Sequence, residues 1–196
     1  MKIRHLLMVL VSLLLASSVL HAESLEVLNA EGQVLVKLTW DGERIKVKGA
    51  DGQELLKGKP HDGGGRKYKD HYGMVAAKVS GDDESFKLKT ETGGLLWKVK
   101  YKGDKIKISQ REDNMLAEVL KRKGPEKWAI ERDEKAYGKI KFYPEKRNTK
   151  VKDAQGETRY QINNERFSPM AGVLLIPGMR VEEAYIIMAE IWIRRW

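Results

Sequence analysis

The sequence predicts a mainly β protein: a closed antiparallel β-barrel with an internal repeat, enclosing a hydrophobic C-terminal helix. Short runs of alternating apolar and charged residues recur along the chain and are bounded by Gly/Asp turns. One such unit returns at an offset of 61 residues. The final stretch, Val181 to Trp196, is apolar on nearly every side when placed on a helix.

In that last stretch only a narrow polar line through Glu183, Glu190 and Arg194 interrupts Ala184, Ile186, Ile187, Met188, Ile191 and Trp192. Such a helix has to be surrounded. Burying its side chains at ~1.5–3 kcal/mol each gives a gross gain on the order of 10–20 kcal/mol before conformational entropy is subtracted. Closing the strands around it covers the helix and removes the sheet edges together.

Taken in order, residues 1–22 begin with Lys2 and Arg4, run through apolar residues from Leu6 to Leu15 and end in small residues before Ala22. This is the pattern of a cleaved signal peptide; an uncleaved membrane anchor is the rival reading. There is no cysteine, which excludes disulfides and a lipidated N-terminal cysteine. The expected destination is a bacterial periplasm. Cleavage would leave residues 23–196, enough for one domain. With Lys2 and Arg4 gone, the 37 Lys+Arg become 35, which against 28 Asp+Glu leaves +7. That balance favours anionic partners, and export argues against nucleic acid.

From Gly32, Val34, Val36, Leu38 and Trp40 alternate with polar positions, Asp41-Gly42 intervenes, and Ile45 and Val47 follow. The reading is a hairpin with a two-residue turn, pairing Leu38 with Ile45 and Val36 with Val47. The copy at Gly93–Ile108 closes the same way around Lys102-Gly103, with Val99 opposite Ile106 and Trp97 opposite Ile108. A weaker echo runs from Val151 to Ile162. Asn114 to Lys123 fits helix or strand, and 61–66 reads as a loop. Ser168-Pro169 resembles a helix cap with proline in the first turn, and Pro177-Gly178 precedes the final helix.

The pattern Phe86-Lys-Leu-Lys-Thr-Glu-Thr-Gly-Gly-Leu-Leu-Trp-Lys-Val, with Asn114-Met-Leu-Ala-Glu-Val-Leu, Trp128-Ala-Ile-Glu-Arg and Glu183-Ala-Tyr-Ile-Ile-Met-Ala, resembles the tubby C-terminal-like superfamily, which includes LURP-one-related and phospholipid scramblase-like proteins. The resemblance implies about twelve strands around a central C-terminal helix. It supplies no catalytic signature, and the lipid-binding residues of that superfamily have no counterparts to name in this chain.

Nucleophilic catalysis is poorly served, because after residue 22 the chain has no cysteine, only His61 and His71, and no G-x-S-x-G elbow. An enzyme survives only as a metal site formed by His61, Asp62, Asp70 and His71, a spacing that matches no established ligand pattern. No cofactor is expected. Gly63-Gly-Gly65 before Arg66 lacks the G-K-[ST] of a phosphate loop.

The informative feature is a lysine ladder. The expected register sets Lys37 opposite Lys46, Lys98 opposite Lys107 and Lys100 opposite Lys105, all away from the core, with Lys87 and Lys89 extending the face. These six opposed lysines are the candidate ligand site. The sequence therefore points to a non-enzymatic, exported module that binds an anionic lipid or envelope polymer, with peripheral contact to a membrane. The alternative is a structural or protein-interaction domain with a merely solvated basic face.

Overall fold

The computed structural model describes residues 23–62, 64–110 and 117–195. The expected leader, residues 1–22, and the start of the ambiguous Asn114–Lys123 segment lie outside the described residues.

The expected closed antiparallel barrel and C-terminal helix are both present, but the barrel has fourteen strands where about twelve were expected. They are β1 (Glu23–Asn29), β2 (Val34–Trp40), β3 (Ile45–Gly49), β4 (Glu54–Pro60), β5 (Arg66–Asp70), β6 (Val75–Gly81) and β7 (Ser85–Lys89). They continue as β8 (Leu95–Lys102), β9 (Lys105–Ser109), β10 (Glu118–Gly124), β11 (Lys127–Arg132), β12 (Lys135–Tyr143), β13 (Asn148–Asp153) and β14 (Thr158–Asn163). Each strand pairs with its sequence neighbours, and β1 pairs with β14 to close the ring.

Five turns at one mouth share a single construction. Asn29, Gly49, Asp70, Thr90 and Asp153 each donate their N–H to the carbonyl four residues on and accept from the glycine three residues on. Those glycines, Gly32, Gly52, Gly73, Gly93 and Gly156, all have φ between 80 and 96°, a left-handed conformation that disfavours any side chain. The first four turns stand 20 or 21 residues apart, so the 61-residue offset is three hairpins, and the unit of repetition is one hairpin.

Apart from β-bulges, inward positions alternate with outward ones along the strands, so residues such as Val36, Val47, Leu88, Val99, Ile108, Ile140 and Val151 fill one core. The helix α1 (Val181–Arg195) lies within it, with Ala184, Ile186 to Ile191 and Trp192 buried. Before it, Ser168 Oγ accepts from the N–H of Met170, and a 3-10 segment, Pro169–Leu175, packs under β12 to β14. Gly172 allows this approach, since a Cβ there would lie 2.6 Å from Ile140.

Both hairpin registers are corrected by two residues. Asp41 Oδ1 accepts from the N–H groups of Glu43 and Arg44, so the first turn occupies four residues and Trp40 faces Ile45. In the second, Gly103 (φ 54) and Asp104 form the turn, and Lys102 faces Lys105. A two-residue slide keeps every side chain on its face, which is why the core positions still agree.

A candidate anion-binding wall

The outer wall is basic: every strand from β2 to β13 sets at least one lysine between or beside its core positions, while β1 and β14 carry none. The expected ladder survives with different partners. Lys37 faces Lys48 and not Lys46; Lys46 faces Thr39 and Lys57; Lys98 faces Lys87 and Ser109; Lys100 faces Lys107; Lys105 faces Lys102 and Lys121. Thus none of the three expected pairs forms, yet all six lysines lie on the outside. Lys100 is surrounded by Lys98 first, then Lys102 and Lys87, whose charges hold its amine below the usual lysine range.

A second lysine-rich region lies on β3 to β7; of the six expected site lysines it contains only Lys46, with Lys89 from the expected extension of the face. Lys46, Lys57 and Lys69 follow one another across β3, β4 and β5. Beside them, Lys59, Lys67, Lys78 and Lys89 cross β4, β5, β6 and β7 in continuous register. Between the two rows Lys57, Lys59, Lys67 and Lys69 line, with Pro60 and His61, a shallow cleft of about 270 Å³. None of these four lysines makes an ion pair among the described residues. By contrast Lys37 is bound to Glu26 at 3.3 Å and Lys123 to Glu131 at 2.6 Å. The signal that would have revealed the rows is the recurring Lys-x-Lys step at 46–48, 57–59, 67–69 and 87–89, which places two charges on one face of a strand.

Behind this region, on the inner face, Tyr68 donates to Glu190 Oε1 at 2.7 Å, and Arg66 and Arg194 hold the same carboxylate at 3.2 and 3.0 Å. Glu190 and Arg194 stand four residues apart, on one side of the helix. Burial, reinforced by the carboxylate, pushes the Tyr68 hydroxyl well above the ordinary tyrosine range. Gly58 makes room for this ring, since a Cβ there would stand 2.7 Å from Tyr68 Cε1. At the other end of α1, Trp97 Nε1 donates to Glu183 at 2.8 Å and Arg180 Nε at 2.6 Å. A third inward carboxylate, Glu118, is held by Arg132 and by the hydroxyl of Tyr137. Each buried charge has partners that account for it, so the interior carboxylates act as structural ties.

His61 and His71 lie beyond opposite ends of β5, a separation of roughly 17 Å or more at ~3.3 Å per strand residue. The four residues of the metal reading therefore do not converge. Among the described residues, no group of three or more His, Asp or Glu is placed to hold a metal ion.

No family model matches the chain, and neither a curated protein nor a solved structure matches it significantly.

Proposed function

We propose that the protein is a non-enzymatic module of the cell envelope, exported through its N-terminal segment, whose basic outer wall binds an anionic lipid or envelope polymer. The observation that carries this reading is the continuous register of Lys59, Lys67, Lys78 and Lys89 across four strands. Like charges facing one another across strands cost stability, and a negatively charged ligand converts that cost into binding energy. A wall serving solubility alone is satisfied by charges of both signs interspersed, as at Lys37–Glu26.

The same wall argues against a barrel embedded in lipid. A lysine facing acyl chains costs about 2–4 kcal/mol at the bilayer midplane, and every strand from β2 to β13 carries at least one outward lysine.

The test is binding at low ionic strength to phosphatidylglycerol vesicles and to an acidic polymer, against a neutral vesicle control. A Lys59/Lys67/Lys78→Gln variant is compared with Lys123/Lys135/Lys146→Gln, which removes the same charge away from the rows. Binding that falls with salt and is lost more in the row variant is the expected result. Absence of binding to every anionic probe, or equal loss in both variants, overturns the reading.

A further inference from the structure

Lysines dominate the wall of the barrel, while most acids stand in the turns, with basic residues beside them. The turns carry the acids: Asp51, Asp133 and Glu134 at the mouth of the glycine turns, Asp82, Asp83 and Glu84 at the other. The wall between the mouths carries lysines on twelve consecutive strands, with acids there already answered: Glu26 by Lys37 and Glu131 by Lys123, while Glu54 faces Lys48 across β3 and β4. A barrel of fourteen strands is roughly 28 Å across, from a ~4.8 Å strand spacing and a ~40° tilt. A flat anionic bilayer meeting it side-on touches only a few neighbouring strands. Meeting a mouth, it faces turns of mixed sign: Arg44, Lys146 and Arg147 stand among the acids of one, where Arg194 and Arg195 also donate to the carbonyls of Asp82 and Asp83.

The lysine rows run across the strands and so follow the girth of the barrel. The row Lys59–Lys67–Lys78–Lys89 spans about 14 Å, and the row Lys46–Lys57–Lys69 runs parallel to it one side-chain repeat away. Their shared cleft holds His61 as a further donor. A ligand that uses this track of closely spaced cations presents its charges in series.

From this geometry we infer that the ligand is a flexible linear polyanion that lies across β3 to β7, its repeating acids resting on the two lysine rows. The inference rests on the anion-binding reading and specifies the ligand class. Affinity then grows with polymer length until the rows are covered, because each added acid releases further counterions; the salt dependence steepens in parallel. Tyr72, Met74 and Val181, exposed and apolar at the glycine-turn mouth, are the large apolar residues exposed among the described residues and suit a membrane.

The experiment measures affinity and its salt slope for inorganic phosphate, tripolyphosphate and long-chain polyphosphate. Polyglutamate of matched charge number forms a carboxylate arm, and phosphatidylglycerol vesicles a planar one. The expected result is a rise of at least about tenfold from tripolyphosphate to the long chain, with a steeper slope. Lys46→Gln/Lys89→Gln, at the row ends, should lower the long-chain slope and leave tripolyphosphate unaffected. The tighter of the two polymer arms identifies the repeating acid. Length-independent affinity, or vesicle binding lost in Tyr72→Ser/Met74→Ser without polymer binding, overturns the linear polymer while leaving anion binding intact. Failure of all probes overturns both.

Discussion

Tyr68 and Glu190 are joined by a 2.7 Å hydrogen bond that ties the centre of β5 to the last turns of the enclosed helix. Glu190 also receives Arg66 from the wall and Arg194 from its own helix, so one buried carboxylate fixes the helix in rotation and depth. Replacing Glu190 by Ala leaves two partly buried guanidinium groups without their counter-charge and should cost about 3–5 kcal/mol. Tyr68→Phe removes one donor and should cost about 1–3 kcal/mol. Denaturant unfolding measures both; wild-type midpoints would show that the network does not clamp the helix.

The helix itself supplies the barrel with its filling. A chain ending before Val181 loses Ile186, Ile187, Met188, Ile191 and Trp192 from the core and leaves inward residues such as Leu56 and Leu88 facing a void. It should be molten or aggregated, and Ile187→Asp, which buries an unpaired charge, should behave similarly. A truncated protein with a cooperative thermal transition near the parent's would contradict a central helix.

What the sequence made legible follows from periodicity. Alternation fixes which side of a strand is buried, and the apolar girth of Val181–Trp196 fixes the helix inside, since both depend on composition at regular spacing. Register depended on finer chemistry: the Asp41 side chain closing a four-residue turn, and glycine's need for positive φ at Gly103. Strand number was obscured because the 61-residue offset is three hairpins whose turn sequences share only the glycine three residues after the first. The rows on β3 to β7 were missed for a related reason. The Lys-x-Lys steps put two charges on one face of a strand, but which lysines of different strands stand side by side, as Lys59, Lys67, Lys78 and Lys89 do, follows only from the register of four strands.

Four tyrosines set the alkaline limit. Burial first, aided at Tyr68 by Glu190 and at Tyr137 by Glu118, raises the hydroxyls of Tyr68, Tyr101, Tyr137 and Tyr185 above the ordinary 10.0. Groups whose folded value is raised contribute stability that is whole below the unfolded value and is lost as pH climbs from there toward the folded one. Thermal midpoints should therefore fall above about pH 10, and tyrosinate absorbance should appear together with unfolding. Ionisation of all seven tyrosines near pH 10 in a still-folded chain would contradict this packing.

Two glycines separate conformational strain from collision. Gly73 has φ 82° with open space where a Cβ would go, so Gly73→Ala should cost about 1 kcal/mol through backbone strain alone. Gly81 has φ 128°, and a Cβ there would lie 2.3 Å from the carbonyl oxygen of Ser85. It also adjoins Asp82, whose carbonyl accepts Arg194 at 2.6 Å. Gly81→Ala should open the β6–β7 hairpin, loosen the helix terminus and destabilise markedly more than Gly73→Ala. Equal melting temperatures would refute the close approach.

The wall lysines are expected to weaken the fold they decorate. Lys59, Lys67 and Lys78 stand side by side with no acid opposite any of them, so their replacement by Gln removes repulsion and adds none. The Lys59/Lys67/Lys78→Gln protein should melt at a higher temperature than the parent in low salt. The gap should narrow as ionic strength rises, since screening at 0.15 M already shortens the reach of exposed charges to about 8 Å. The control variant discriminates: Lys123→Gln breaks the pair with Glu131, so it should melt at or below the parent temperature. If the row variant melts lower in low salt, the lysines are held by contacts that outweigh their repulsion. The destabilisation that a polyanion would relieve then does not exist.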